Sequence, residues 1–218
     1  MSMASDQSLS LLPPPGTRIY LASRSPRRRE LLRQIGIGFE VLSLREGRDR
    51  GADVDETPLP GESPDDYVLR VCIAKADAGW KILVERRMTR SSLLPVLAAD
   101  TTVCADGQIL GKPADRAEAQ AMLRALSGRE HRVLTAVAVR HGERLETALS
   151  ESQVRFVTLT EQDIAAYAAT DEPMDKAGAY AIQGRAAAFI EELRGSYSGV
   201  MGLPLRETAM LLARLRQG

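Results

Sequence analysis

Stretches in which apolar residues alternate with polar ones, or run together, predict β-strands. Alternation around Ile19 and Leu21 is typical of a short strand, whereas the apolar run that ends at Cys104 indicates a buried one. Turn dipeptides follow two of these stretches and predict hairpins. The predicted strands are 18–23, 95–104 with a hairpin partner in 105–110, 133–139, and a strand that follows a turn at His141-Gly142 and ends near Val157.

Five stretches carry apolar residues at helical spacing and predict helices. Four of them begin behind a residue that favours a helix N-terminus, namely Ser25, Ser63, Asp115 and Thr160. The fifth carries Leu205, Thr208, Leu211, Leu212 and Leu215 on one face. Because helices interleave with both hairpins and single strands, we expect an α/β fold in which helices flank a mixed central sheet.

Two segments lie outside the periodic stretches. The stretch 46–62 is charged and rich in Gly and Pro, which predicts a loop. Residues 1–17 include three consecutive prolines, so we expect a flexible tail before a domain that spans 18–218. Their apolar stretch is too short for a signal peptide, and no apolar run approaches the roughly 20 residues of a membrane span. We therefore expect a cytoplasmic protein with no membrane partner.

Composition narrows the function without identifying it. The 218 residues include 29 Lys and Arg and 29 Asp and Glu, so no general attraction to nucleic acid is expected, and any anion site must be local. Cys72 and Cys104 lie in no metal-binding or redox motif and are predicted to be buried, reduced thiols. His131 and His141 are too few for a zinc site and are predicted to be structural or exposed.

Three consecutive arginines begin the first predicted helix, where the partial positive charge of the helix disfavours cations. One interpretation is that they extend into water, and we adopt it for Arg29. Arg27 and Arg28, however, follow a strand and a loop with two serines, Ser23 and Ser25, beside unpaired helix N–H groups. That combination is typical of a phosphate site. Because Arg28→Ala removes a cation from a helix N-terminus, we expect it to leave the ligand-free protein equally stable or slightly more stable.

Three further charged residues interrupt the local pattern. Asp100 lies within an apolar strand, where an unpaired carboxylate costs several kcal/mol, so it needs a cation, a metal, a helix to cap or a catalytic role. Lys75 lies on the apolar face of the second helix, either at the edge of the core or directed into a cleft. Lys112 lies in a Gly-Lys-Pro turn, which alone is a weak signal.

An acidic cluster that includes Glu56 is either solvated or able to reach a divalent cation. Cations that bind anions and carboxylates that hold metal and water suit the handling of a polyphosphate with Mg²⁺. The sequence contains no GxxxxGK[ST] motif, which excludes a P-loop NTPase.

Six segments of the chain resemble, in order, the Maf family of nucleoside triphosphate pyrophosphatases. They are LASRSPRRRELL, DVDET, AADTTVCADGQILGKPAD, LSGREHRVLTAVAV, DKAGAYAIQG and GSYSGVMGLPL, and the resemblance spans Arg18 to Leu212. It implies two lobes around a cleft, a fold similar to that of inosine triphosphatase, and a homodimer. The stretch between Phe39 and Asp53 is longer than the family pattern, and Arg185 stands where small or aliphatic residues are usual.

The resemblance also implies roles for individual residues. Asp100 corresponds to the aspartate that accepts the proton of the attacking water, and we expect it to hold a divalent cation, Mg²⁺ or Mn²⁺, together with Glu56. Arg28, Thr101 and Gln183 correspond to the positions that determine substrate specificity. The expected substrate-binding residues are Ser23, Arg27, Arg28, Lys75 and Lys112.

By resemblance, the expected reaction converts dTTP or UTP, or a modified pyrimidine nucleotide, to the monophosphate and pyrophosphate. One alternative is the branch of the family that acts on 7-methyl-GTP, which differs at Thr101 and Gln183. Another is a nucleotide-binding regulator of septum formation with little turnover, although a pure binder has no need of the buried Asp100. An RNA-binding protein fits poorly with zero net charge and three phenylalanines.

Overall fold

The computed structural model describes residues 12–45, 53–85 and 94–216. Its strands are β1 (Arg18–Leu21), β2 (Gly38–Val41), β3 (Val96–Ala105), β4 (Gln108–Leu110), β5 (Glu130–His141), β6 (Arg144–Phe156) and β7 (Ile190–Arg194). Its α-helices are α1 (Pro26–Gln34), α2 (Pro64–Glu85), α3 (Arg116–Leu126), α4 (Glu161–Ala168), α5 (Tyr197–Met201) and α6 (Leu205–Arg216). Short 3₁₀ helices occupy Glu172–Asp175, Ala177–Ala179 and Arg185–Phe189. Most of the predicted tail, and positions 46–52 of the predicted loop, lie outside the described residues.

The strands form one mixed sheet in the order β2-β1-β3-β5-β6-β7, with β4 paired to β3. β1 is parallel to β2 and to β3, because α1 and α2 provide the crossover connections that parallel strands need. The pairs β3–β5, β5–β6 and β6–β7 are antiparallel. The predicted α/β fold with a mixed central sheet is therefore confirmed.

The strand β3 changes its neighbour part-way along one edge. On its other edge it pairs with β5 from Val96 to Cys104. On the first edge, Val96 and Leu97 pair with β1, whereas Val103 to Ala105 pair with β4. Positions 98–102 thus have no strand neighbour there among the described residues. This opening lies beyond the carboxyl end of β1, which is where open α/β sheets bind ligands.

Helices cover both faces of the sheet. On one face, α2 packs its buried stripe, including Val68 and Cys72, against Ala98 of β3. On the other face, α1 and α6 pack Leu31 and Leu211 against the sheet. A third cluster joins α3 and α4 to the β4 end of β3, so the opening separates two packed regions, as the family resemblance implies. In the described ranges, no helix combines the length and the apolar character needed to cross a membrane.

Cap and turn signals in the sequence are largely confirmed. Ser25 caps α1 and its hydroxyl accepts a hydrogen bond from the backbone N–H of Arg28. Asp106 and Gly107 both have positive φ, which is the backbone that the predicted two-residue hairpin requires. The second hairpin turns one residue later than predicted, because His141 still pairs with Arg144 across the ladder.

The sequence predicts no helix in the Gly-rich segment 195–204, yet the structure has α5 there. The Oγ of Ser196 caps it by accepting a hydrogen bond from the N–H of Gly199 at 3.0 Å. Gly202 ends it with φ of 120°, a value that favours glycine. The apolar pattern missed α5 because it has only five residues and because glycine is a poor helix former.

The cysteines and histidines have the structural roles that the sequence predicts. Cys72 and Cys104 are buried and form no disulfide, and burial raises the pKa of Cys72 to about 12. His131 is buried, and its Nε2 lies 2.8 Å from the hydroxyl of Tyr180. His141 is exposed and packs edge-on against Trp80.

Candidate active site

Asp100 is paired with a lysine in the opening of the sheet. Its Oδ1 lies 2.6 Å from the Nζ of Lys75, whose ammonium also lies 2.8 Å from the Oε1 of Glu56. The side chains of Asp100 and Lys75 are only 12% and 15% exposed. Burial lowers the pKa of Lys75, but the charges of Asp100 and Glu56 outweigh it, so that the pKa is raised and the lysine is protonated.

Local folding explains this pairing. Successive side chains of a strand point to opposite faces, so Asp100 shares the face of Ala98, on which α2 packs. The thiol of Cys72 contacts the carbonyl oxygen of Ala98 at 3.6 Å. Lys75 lies about one helical turn further along α2 and therefore reaches the next residue of the same face, Asp100. The predicted apolar stripe that ends in a lysine directs that lysine into the cleft.

The loop that carries Glu56 is held by α2. Tyr67 donates its hydroxyl hydrogen to the carbonyl oxygen of Glu56 at 3.0 Å. Arg70 donates to the carbonyl oxygens of Asp55 and Thr57 at 3.3 and 3.0 Å. Three consecutive backbone carbonyls are thus fixed by two neighbouring turns of one helix, which places the Glu56 carboxylate against Lys75.

Arg28 reaches the opening from the other face. Its Nη1 donates to the Oγ of Ser23 at 3.2 Å and its Nη2 to the Oγ1 of Thr101 at 3.4 Å. Its Nε donates to the carbonyl oxygen of Gly202 at 2.7 Å. The hydroxyl of Thr101 also lies 3.0 Å from that of Thr135, its cross-strand neighbour on β5. Ser23, Arg28 and Thr101 are therefore one connected polar group.

Arg27 lies beside a different part of the chain. Its Nε donates to the carbonyl oxygen of Met201 at 3.3 Å, and its Nη1 lies 3.9 Å from the carboxylate of Asp175. Burial lowers the pKa of Arg27, and the charge of Asp175 opposes that shift. Lys176, which also pairs with Asp175, is largely buried. The start of α1 is thus joined to the DKAGAY segment.

A cavity at the opening is lined by more cations than anions. Arg24, Arg28, Arg45 and Lys75 line it together with Ser23 and Glu56. The formal net charge of the whole chain is zero, so this is a local concentration of positive charge. Several cations and one helix N-terminus around a cavity can bind a polyanion.

Two predicted site residues lie apart from this cavity. Lys112 and Gln183 are both exposed, and neither forms a hydrogen bond or ion pair with another described residue. Lys112 lies on a loop that is tied to the DKAGAY segment, because the carbonyl oxygen of Gly111 accepts from the N–H of Gly178 at 3.1 Å. Gln183 lies in the turn that follows that segment. Neither residue lines the cavity in the ligand-free structure.

Comparison with known proteins adds an independent observation. The profile of the Maf family, described as Maf-like protein, matches residues 18–215. The chain belongs to the Maf family. A dTTP/UTP pyrophosphatase of Aromatoleum aromaticum is 60% identical over 196 residues, which cover 89% of this chain and 94% of that protein. The dTTP/UTP pyrophosphatase of Nitrosomonas europaea is 57% identical over 202 residues, 93% of this chain and 96% of that protein. That of Dechloromonas aromatica is 56% identical over 198 residues, 91% and 97% respectively.

Sequence reasoning missed several residues that support the site in this Maf-family chain. Thr135 could have been found from the sequence, because it is a polar residue in the alternating pattern of an otherwise apolar strand. Nothing in the sequence distinguishes Arg24 and Arg45 as site residues, since isolated arginines are common on protein surfaces. Asp175 and Lys176 lie in the DKAGAY segment, but their proximity to Arg27 depends on tertiary folding.

The carboxylates present fit a divalent cation that is shared with a phosphate. Within 12–45, 53–85 and 94–216, no group of three or more His, Cys, Asp and Glu side chains could hold a metal by itself. Glu56 and Asp100 both contact the same ammonium and so lie within reach of one cation. Mg²⁺ in enzymes is commonly bound by one or two carboxylates together with substrate phosphates and water. Two carboxylates at the mouth of a cationic cavity match that donor set.

Proposed function

We propose that this protein hydrolyses dTTP and UTP, or related modified pyrimidine nucleotides, to the monophosphate and pyrophosphate. The observation that carries the proposal is the buried Asp100–Lys75 pair beside a cation-lined cavity. A second line of support is that the chain is 56 to 60% identical, over most of its length, to proteins named dTTP/UTP pyrophosphatase.

In this proposal the cations bind the triphosphate. Arg24, Arg28 and Arg45 face the cavity, and the N–H groups at the start of α1 lie beside Arg28. Charge-assisted hydrogen bonds of this kind are about twice as strong as neutral ones. Lys112 is exposed and does not line the cavity, and in this proposal it would add a fifth cation to Arg24, Arg28, Arg45 and Lys75 when the nucleotide is bound.

Asp100 acts as the general base. Lys75 holds its Oδ1, whereas Oδ2 has no hydrogen-bond partner among the described residues. A water beside Oδ2 attacks the α-phosphorus and gives its proton to Asp100, while the bond from that phosphorus to the bridging oxygen breaks. Pyrophosphate leaves with the electron pair. General-base catalysis of this type contributes about 10²- to 10⁴-fold to the rate.

Glu56 and Asp100 would hold a divalent cation, Mg²⁺ or Mn²⁺, which would neutralise charge on the phosphates when bound. We also propose that the protein acts in the cytoplasm and as a homodimer, in line with its Maf-family membership and its two free cysteines. Sedimentation velocity at several protein concentrations tests the dimer.

The decisive experiment measures two products separately. The protein is incubated with dTTP, UTP, dCTP, dATP, dGTP and 7-methyl-GTP and with Mg²⁺ or Mn²⁺, and pyrophosphate and orthophosphate are quantified. We expect pyrophosphate from dTTP and UTP. Release of orthophosphate alone would show that cleavage does not occur at the α-phosphorus. Tight binding without turnover would favour a nucleotide-binding regulator.

Asp100→Asn is the matched test of the general base, with Asp77→Asn as its control. Asp77 lies on α2 like Lys75, but it pairs with Arg140 outside the cavity. We expect Asp100→Asn to lose about 10²- to 10⁴-fold in kcat while the fold persists, and Asp77→Asn to retain activity. Near-normal turnover by folded Asp100→Asn would refute the assignment.

A further inference from the structure

The turn that carries Gln183 is tied at both ends to the same pair of side chains. The hydroxyl of Tyr167 accepts a hydrogen bond from the N–H of Ala181 at 3.3 Å. The same hydroxyl donates to Oε1 of Glu172 at 2.9 Å. The other oxygen of Glu172 accepts from the N–H of Arg185 at 3.1 Å. One tyrosine and one carboxylate therefore close a ring of contacts around the turn.

Gly184 allows the carboxylate to approach this closely. A Cβ at that position would overlap the carboxyl group of Glu172, so only glycine leaves room for it. The turn also closes on itself, because the N–H of Gly184 donates to the carbonyl oxygen of Ala181 at 3.0 Å. Glu172 thus packs under the turn at the residue that follows Gln183.

The residue that anchors the turn, Tyr167, is buried and tightly packed. Tyr167 is only 4% exposed on α4 and packs edge-on against Phe189, with the ring centroids 5.3 Å apart. Burial, reinforced by the hydrogen bond to Glu172, raises the pKa of Tyr167, so the hydroxyl keeps its proton at physiological pH. Glu172 begins the 3₁₀ helix that leads to Asp175, the partner of Arg27.

We propose that Glu172, linked through Tyr167, is a positioning residue that sets base specificity by fixing the turn of Gln183. This inference rests on the proposed function and on the role in substrate specificity that the family resemblance implies for Gln183, whose amide would contact the nucleobase. The side chain of Gln183 makes no hydrogen bond to a described residue, so its position is set by the backbone of the turn. Neither Glu172 nor Tyr167 lines the cavity, and they act through that backbone.

The test compares Tyr167→Phe and Glu172→Gln with Tyr180→Phe. Tyr180 belongs to the same aromatic cluster and also loses one buried hydroxyl bond, the one to His131, but its hydroxyl does not contact the turn. We expect the ratio of kcat/KM for dTTP to that for dGTP to fall about 3- to 10-fold in the first two variants, in line with one lost hydrogen bond. In Tyr180→Phe the ratio should stay unchanged while thermal stability falls.

A double-mutant cycle separates positioning from general damage. In a Gln183→Ala background, Glu172→Gln should no longer alter the dTTP to dGTP ratio, because the group that it positions is gone. An equal drop of the ratio in both backgrounds would overturn the inference, and so would equal losses for every nucleotide.

Amide hydrogen exchange provides a readout that needs no turnover. In Tyr167→Phe the amide of Ala181 should exchange at least several-fold faster, and in Glu172→Gln that of Arg185 should do so, with neither changed in Tyr180→Phe. Unchanged exchange would overturn this inference even in an active dTTP pyrophosphatase. A wild type without preference for dTTP over dGTP, but with the expected exchange, would instead overturn the base specificity of the proposed function.

Discussion

The Nε of Arg28 donates a 2.7 Å hydrogen bond to the carbonyl oxygen of Gly202, which lies 174 residues further along the chain. Gly202 ends α5, so this arginine at the start of α1 satisfies a carbonyl at the end of another helix. Arg27 does the same for Met201. The cations that conflict with the dipole of α1 are therefore favourable for the carboxyl end of α5.

The contact between Arg28 and Gly202 reverses the effect on stability that the sequence predicts for Arg28→Ala. Arg28→Ala should destabilise the ligand-free protein by about 1–3 kcal/mol, because the Gly202 carbonyl loses its charged partner. Arg33→Ala, an exposed arginine later on α1, is the control and should change stability by about 0.5 kcal/mol or less. Urea unfolding without nucleotide measures both. Equal stability of Arg28→Ala and the wild type would mean that the Gly202 contact is weak in solution.

The parts of the fold that follow local rules could be predicted from the sequence. The Ser25 cap, the hairpin at Asp106-Gly107 and the stripe on α2 that ends in Lys75 depend on neighbouring residues only. The pattern also marked Asp100 correctly as a buried carboxylate that needs a partner. The pairing of Asp100 with Lys75 joins these two signals across 25 residues.

Other features depend on packing that no local pattern contains. Ala179 adopts a φ of 58°, which a non-glycine residue rarely does, and the residue before it, Gly178, donates to the distant carbonyl of Gly111. The helix α5 is short and Gly-rich, and what fixes its end are the two arginines of α1. Such contacts join distant parts of the chain, and they determine where Arg27 and Arg28 point.

The ammonium of Lys75 lies between two carboxylates, so removing it should lower the stability of the protein. Lys75→Met leaves Glu56 and Asp100 without the ammonium between them, and we expect a loss of about 3 kcal/mol in stability. Adding Glu56→Gln should recover part of it by removing one charge. Lys81→Met, on the exposed side of the same helix, is the control. Chemical unfolding of Lys75→Met, Glu56→Gln, the double variant and Lys81→Met measures this coupling, and strict additivity of the first three would contradict it.

His131 should make the protein less stable in mild acid. Burial lowers its pKa to about 4, whereas an unfolded histidine titrates near 6.5. Between these values the unfolded chain binds more protons, so stability falls as the pH drops from about 6.5 to 4, by about 3 kcal/mol in total.

His131→Gln tests this pH dependence, because glutamine can still form a hydrogen bond with the Tyr180 hydroxyl but does not titrate. The difference in unfolding free energy between this variant and the wild type should change across that pH range. A constant difference would show that His131 is not the group responsible. Carboxylates such as Glu62, whose pKa is lowered to about 2 by its hydrogen bond to Arg70, contribute equally to both proteins and cancel.

Gln183 should distinguish pyrimidine from methylated guanine nucleotides. The edge of uracil or thymine offers two carbonyl acceptors and one N–H donor, and a glutamine amide can donate to one and accept from the other. A carboxylate there would face a carbonyl and leave both groups unsatisfied. 7-Methylguanine carries positive charge and offers N–H donors, which suit a carboxylate.

Gln183→Glu should therefore lower kcat/KM for dTTP and UTP by roughly one to two orders of magnitude. The loss for 7-methyl-GTP should be smaller, or there should be a gain. Gln183→Ala is the matched control, since it removes the amide without adding charge and should lower all three values more evenly. Because Gln183 is exposed and its side chain forms no hydrogen bond or ion pair with a described residue, neither variant should change the melting temperature, so the kinetics report recognition alone. If Gln183→Glu lowers kcat/KM for all nucleotides by the same factor, Gln183 does not distinguish between bases. If the wild type prefers 7-methyl-GTP to dTTP, the chain belongs to the other branch of the Maf family.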